Sequence, residues 1–184
     1  AAIRSAVEQR ARSVGPDEDD QTLARLVMRE SERLNRLLSE FLDFSRVRAS
    51  RFERIELLGL VEAAARITRE HPEARGTTIT VIGEPVELDG DEDLLHRVAS
   101  NLMLNAAQAL AGRGQINVTV RRARPGEAPV GRVERPVMLL VQDDGPGIPE
   151  SVRERLFEPF VTGRTGGSGL GLAIVQRAVD AHRG

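Results

Sequence analysis

From Gln21 to Arg48 the sequence runs without a Gly or a Pro, and its apolar residues recur with a heptad period. Val27, Leu34 and Phe41 fall seven apart; Leu37 and Phe44 form a second row, with Glu30 as its polar member. Leu23, Leu26, Leu38 and Leu42 widen the apolar face. A stripe of this width requires one long helix, and that helix cannot bury the stripe alone. Upstream, Ile3, Ala6, Val7 and Val14 fit a shorter helix that has no N-cap, and Gly15-Pro16 ends it. Asp17 to Asp20 then place negative charge where the next helix starts and its dipole favours it. Residues 1–50 therefore read as a helical hairpin. The stripe predicts a bundle seam shared with a second copy, making a homodimer; packing onto the following domain is the alternative.

At Phe52 the pattern changes, and residues 51–184 read as an α/β domain. Strands are predicted at Phe52–Leu57, Thr77–Ile82, Gln115–Arg122 and Val137–Gln142. Helices are predicted at Leu58–Glu70, Asp91–Ala111 and Leu170–Ala181, with a turn or two at Ser151–Leu156. Ala123–Arg135, rich in Pro, Gly and Arg, reads as an exposed loop, and Gly163–Gly169 as a mobile glycine-rich segment. The fold class is thus α+β.

Composition removes several functions. A net charge of -2 gives no basic field for nucleic acid, and 3% aromatic content gives no stacking platform for single strands. There is no Cys, so thiolate metal sites are excluded and a cytoplasmic setting is expected. No apolar run reaches the roughly 18 residues of a membrane span, so no membrane contact is expected of this segment. The basic residues are all Arg. A P-loop, or the strand lysine of a Ser/Thr/Tyr kinase, is therefore unavailable. Any phosphate chemistry needs a different cradle.

Four segments offer one. Asn101-Leu-Met-Leu-Asn105 places two amides on one face of a helix, where a neutral oxygen can serve a Mg²⁺ ion shared with phosphates. Asp143-Asp-Gly-Pro-Gly147 follows an apolar strand. Asp143 can accept a hydrogen bond from an exocyclic amine such as adenine N6, while Gly145 and Gly147 let backbone approach a flat ring. Phe157-Glu-Pro-Phe160 supplies two aromatics three apart. Gly166-Gly-Ser-Gly-Leu-Gly-Leu172 ends at a helix start, where free N–H groups and the dipole bind phosphate. Singly, each has an ordinary reading: a solvated stripe, a turn, core staples, a flexible loop.

In this order the segments resemble the N, G1, F and G2 boxes of the catalytic domain of two-component sensor histidine kinases. The matching stretches are NLMLNAAQA, DDGPGIP, FEPF and GGSGLGLAIV, with VDAHRG after them. ESERLNRLLSEFLDFSR resembles the second helix of the family's dimerisation and phosphoacceptor hairpin, and FEPF with a short lid is most similar to its nitrogen-regulation-like branch. The resemblance implies half of a dimeric four-helix bundle followed by a two-layer α/β sandwich of the Bergerat ATP-binding type, with a mixed sheet and helices on one face. It implies ATP and Mg²⁺ as cofactors and a response-regulator receiver domain as partner. Asn105 would ligate Mg²⁺ and Asn101 would support the phosphates. Asp143 would read adenine in a pocket shaped by Gly145 and Gly147. Phe157 and Phe160 would anchor the lid, and Arg164 would approach the γ-phosphate. Gly167, Gly169 and Gly171 would cradle phosphate. Gln108, Ile148, Ser168, Leu170 and Leu172 complete the implied nucleotide-binding set.

The resemblance also places the acceptor His about seven residues before Ala1, outside this chain, and two further strands after Gly184. His71, His96 and His182 lack the acidic and Asn-Pro neighbours of an acceptor motif. Related gyrase B, heat-shock chaperone and mismatch-repair ATPases carry a Glu base where this chain has Asn101, so intrinsic hydrolysis is disfavoured. A non-catalytic nucleotide-binding adaptor is the remaining alternative.

Overall fold

A computed structural model describes residues 18–45, 51–127, 135–163 and 167–184. The helix expected over Ala1–Val14, and Arg164 of the lid, lie outside the described residues. The chain divides into two compact units, Ala1–Ser45 and Arg46–Gly184, a boundary a few residues before the one expected from sequence.

The first unit contains helix α1, Glu18–Ser45. Along it Leu23, Leu26, Leu34, Leu38 and Phe41 are exposed, Leu34 by 66%. Val27, Leu37 and Phe44 are half-buried.

In the second unit the order is β1 (Glu53–Glu56), α2 (Leu57–Glu70), a 3₁₀ turn at Pro72–Ala74, β2 (Thr77–Gly83), β3 (Glu87–Gly90) and α3 (Glu92–Leu110). There follow β4 (Gly114–Arg122), β5 (Val137–Asp143), α4 (Glu150–Arg153) and α5 (Gly171–Ala181). β4 is central in a mixed sheet, parallel to β2 and antiparallel to β5. Period-2 alternation gives that sheet one apolar face. Ile79, Ile116, Val118 and Val120 are buried, while Ile82 on the opposite face is 58% exposed. α2 and α3 cover the apolar face with Val61, Ala64, Ala65, Ala99, Met103 and Ala107, all inaccessible to solvent. Burying a run of small Ala side chains lets the helices sit close to the sheet, and the core is aliphatic as the composition demands.

The sandwich class is as expected, with one correction to the single mixed sheet. β3 pairs antiparallel with β1, Ile55 opposite Leu88, in a separate two-stranded sheet. Glu87-Leu-Asp-Gly carries only one apolar residue, too few for a period to be legible.

Candidate nucleotide-binding site

α3 organises the site. Asp91 is its N-cap, with Oδ1 accepting from Leu94 N at 3.1 Å, and Glu92 and Asp93 follow in the first turn. Met103, fully buried, fixes which way the helix faces. Asn101 and Asn105 then fall together on a half-buried face, with Gln108, also half-buried, one turn further on.

That face meets the start of α5. A Cβ on Gly171 would stand 3.2 Å from Asn101 Oδ1 and 3.7 Å from Asn105 Nδ2. The Asn pair and the last glycine of the glycine-rich run, far apart in sequence, thus bracket one small space. The first N–H groups of α5 lack intrahelical acceptors, and the dipole's positive end lies there. Leu170, wholly buried, precedes the helix, and its N–H donates to Ser168 Oγ at 3.3 Å. Buried Ala173, Ile174 and Val175 hold the helix in place, with Leu172, half-buried, just before them.

The aromatic segment is pinned to the same turn. Phe160 N donates to Gly169 O at 3.0 Å, and both residues have positive φ, 66° and 68°. A Cβ on Gly169 would lie 2.5 Å from the carbonyl carbon of Phe160 and 2.7 Å from Val161 O. Only glycine permits this approach. The phenyl rings remain outside the core: Phe157 is 45% exposed and Phe160 62%.

Asp143 ends β5, half-buried, opposite Ile116. Its Oδ1 accepts from Gly145 N at 3.0 Å, closing a turn that leaves Oδ2 for another donor. Gly145 lies against the C-terminal end of α3, where an added Cβ would meet Leu110 Cδ2 at 3.4 Å and Ala109 Cβ at 3.6 Å. Gly147 has φ of 78° with open space around the position of a Cβ, and Ile148 beyond it is 48% exposed. Gly167 is exposed.

Two residues make contacts here that the sequence does not announce. Asp144 Oδ1 accepts from Gln115 N at 2.8 Å, and its own N–H reaches Gln115 O at 3.3 Å, so it ties the turn carrying Asp143 to the start of β4. A side chain at Gly114, whose φ is 145°, would collide with that carboxylate. The second is His182, which bonds to the N-terminus of α3. Among the described residues no group of three or more His, Cys, Asp or Glu side chains could hold a metal unaided.

A two-layer sandwich with paired amides, a strand-end aspartate and a glycine turn opening a helix defines an ATP-binding domain. Residues 90–184 match the family of histidine kinase-, DNA gyrase B-, and HSP90-like ATPases, and the chain belongs to that family. It is 30% identical over 185 residues to the signal transduction histidine-protein kinase AtoS of Escherichia coli K12, covering 100% of this chain and 29% of AtoS. It is 32% identical to the sensory histidine kinase/phosphatase NtrB of Rhodobacter capsulatus, covering 94% of this chain and 50% of NtrB. Full-length ShkA, solved in complex with AMPPNP, matches with a TM-score of 0.65 at 26% identity, over 92% of this chain and 35% of that one. The chain therefore spans half or less of the length of these proteins. No helix among the described residues is long and apolar enough to cross a membrane.

Proposed function

We propose that the chain is the catalytic core of a sensor histidine kinase. It binds Mg-ATP and directs the γ-phosphoryl group to a His on a dimerisation hairpin, for relay to the receiver Asp of a response regulator. The observation that carries the reading is the approach of Gly171 to Asn101 and Asn105, which gathers amide oxygen and helix N-terminus at one point. AMPPNP differs from ATP only in its β–γ bridge, so the ShkA complex supports ATP as the ligand.

The donor set fits Mg²⁺ as a shared ion. Mg²⁺ is commonly held by one or two protein oxygens together with phosphates and water, and neutral amides at the α5 N-terminus leave room for phosphate oxygens. Asn101 already turns Oδ1 toward Gly171; Asn105 turns Nδ2, and a half-turn of its last torsion presents oxygen instead. In this reading Asn105 holds the ion and Asn101 the phosphates. When bound, Mg²⁺ neutralises phosphate charge. Asp143 Oδ2 selects adenine. Gly169 and Gly171 cradle phosphate, with Gly167, Ser168, Leu170 and Leu172 in the same turn, and Phe160 anchors the lid that carries Arg164. Gln108 and Ile148 border the pocket. The exposed stripe of α1 is the seam of the homodimer. Asn101 is an amide where the ATP-hydrolysing relatives carry an acid, which disfavours activation of water.

Titration calorimetry with ATP, with and without Mg²⁺, tests the pocket. Asn105→Ala should lose the Mg-dependent part of binding while its thermal midpoint stays near that of the wild type. Unchanged affinity and unchanged metal dependence would sink the assignment. For the whole protein, label from γ-labelled ATP should sit on a His and be acid-labile and base-stable, as a phosphoramidate is.

A further inference from the structure

Resting on the ATP-binding reading, we infer that His182 is a positioning residue for nucleotide binding, which sets α5 against α3 through a neutral imidazole. The ring closes the C-terminal end of α5, and its Nε2 accepts from Asp91 N at 2.9 Å. Its Nδ1 stands 2.6 Å from Ala178 O, one turn back along α5. A backbone N–H can only donate and a carbonyl can only accept, so the two contacts together fix the tautomer: lone pair on Nε2, proton on Nδ1.

The contact falls where α3 begins. Asp91 is buried at 6% exposure, and its carboxylate is already engaged. Oδ1 takes Leu94 N at 3.1 Å and Oδ2 takes Arg51 N at 3.4 Å. The Asp91 N–H therefore depends on the imidazole, and a buried donor without an acceptor is costly. The surroundings hold the ring in place. Phe52 lies at a centroid distance of 5.2 Å, tilted by 39°. Gly90 leaves the space the ring fills, since a Cβ there would stand 3.0 Å from Nε2 and 2.8 Å from Leu95 Cδ1.

The geometry links this lock to the candidate site through two rigid helices. α5 carries Gly171 at its first position and His182 just past its last. α3 carries Asp91 at its N-cap and Asn101 and Asn105 beyond it. Bolting the far end of α5 to the near end of α3 sets how α5 lies along α3. The 3.2 Å separation between Asn101 Oδ1 and the Cβ position of Gly171 leaves little slack for sliding.

Equilibrium titration of the 184-residue chain with Mg-ATP tests this with three variants. His182→Leu keeps apolar bulk and removes the acceptor, and should weaken ATP by about fivefold or more. His182→Gln returns an acceptor oxygen at similar reach and should stay within about twofold of wild type. Gly90→Ala leaves His182 in place but pushes on the ring from the strand side, and should weaken binding in the same direction. This third variant carries the test should His182→Leu fail to fold. Equal affinity in the Leu variant and wild type, equal loss in the Leu and Gln variants, or wild-type affinity in Gly90→Ala would each overturn the inference. If the unaltered chain shows no ATP binding, the functional reading falls and this inference with it.

Discussion

Replacing Gly169 by Ala probes the join between the aromatic segment and the glycine turn with one methyl group. Two costs follow if the native backbone is kept. An L-residue in the left-handed region, at φ of 68°, costs about 1–2 kcal/mol relative to glycine. The methyl would also lie 2.5 Å from Phe160 C and 2.8 Å from Phe160 Cα, against backbone that cannot rotate away as a side chain would. The segments must then separate, which breaks the Phe160 N–H bond to Gly169 O and costs a further ~0.5–1.5 kcal/mol. The native arrangement is thus disfavoured by about 1.5–3.5 kcal/mol.

That cost should appear as lost affinity more than as lost stability. Leu170, Ala173, Ile174 and Val175 stay buried when Phe160 lifts away, so α5 keeps its core contacts. A binding-competent arrangement depleted by about 2 kcal/mol weakens apparent affinity roughly 30-fold. Calorimetric titration with ATP reads this, and the thermal midpoint should move by a few degrees at most. Gly126→Ala is the control: its φ is 86°, yet nothing lies within 4 Å of the added Cβ, so it meets the backbone cost without a collision. Gly169→Ala within twofold of wild type, or an equal loss of affinity in Gly126→Ala, would refute the reasoning.

Asp143→Ala should weaken ATP and ADP alike, because the contact proposed for it is to the base; losing a charge-assisted hydrogen bond of about 1.5–3 kcal/mol predicts tenfold or more, and titration with ADP alone decides it. Glu127 gives a pH signature: the Arg121 guanidinium, and then the Arg124 N–H, hold its carboxyl down to about 2 from an ordinary 4.5. A depressed carboxyl contributes stability that is present above its unfolded value and lost as pH falls through its folded one. Wild-type stability should therefore fade between pH 4.5 and about 2 more steeply than that of Glu127→Gln, measured as urea midpoints across that window. Parallel curves would remove the ion pair from the account.

The parts of the fold that were legible in sequence are those whose cause is local. α3 was readable because Asp91 caps it, acids fill its first turn and its apolar residues are periodic; its bounds differ from expectation by one residue at each end. β2 and β4 are readable because β-branched residues alternate or cluster in them, and β5 because Val137–Val141 is a short continuous apolar run. The short β3 was not, since its existence depends on pairing with β1. The same distinction divides the site. The Asn pair and the glycine turns announce themselves by spacing. Asp144 acts on a partner 29 positions away and His182 on one 91 positions away, and no pattern within a helix or strand encodes either contact. His182 lacks the neighbours of a phosphoacceptor, and the structure gives it a different task. Arg164 lies outside the described residues.

The site is assembled from close approach more than from charge, and this bears on where the reacting imidazole belongs. A Lys-free chain cannot clamp phosphate with an ammonium, so the proposed cradle draws on the amides, the glycine turns and a helix N-terminus. Such a cradle would position a phosphate but supplies no nucleophile. The three histidines of the chain are engaged in the domain's own structure. His71 Nδ1 accepts from Glu73 N at 3.2 Å, His96 stands 3.4 Å from Ser100 Oγ, and both ring nitrogens of His182 are engaged. An imidazole poised to attack phosphorus needs a free ring nitrogen in line with the leaving group, and phosphoryl transfer depends on that placement more than on covalent chemistry by the protein. None of the three combines a free nitrogen with a described approach to the Asn101–Gly171 face. The kinase reading therefore assigns pocket and acceptor to separate modules. The same division lets the pocket hold ATP whether or not an acceptor is in reach.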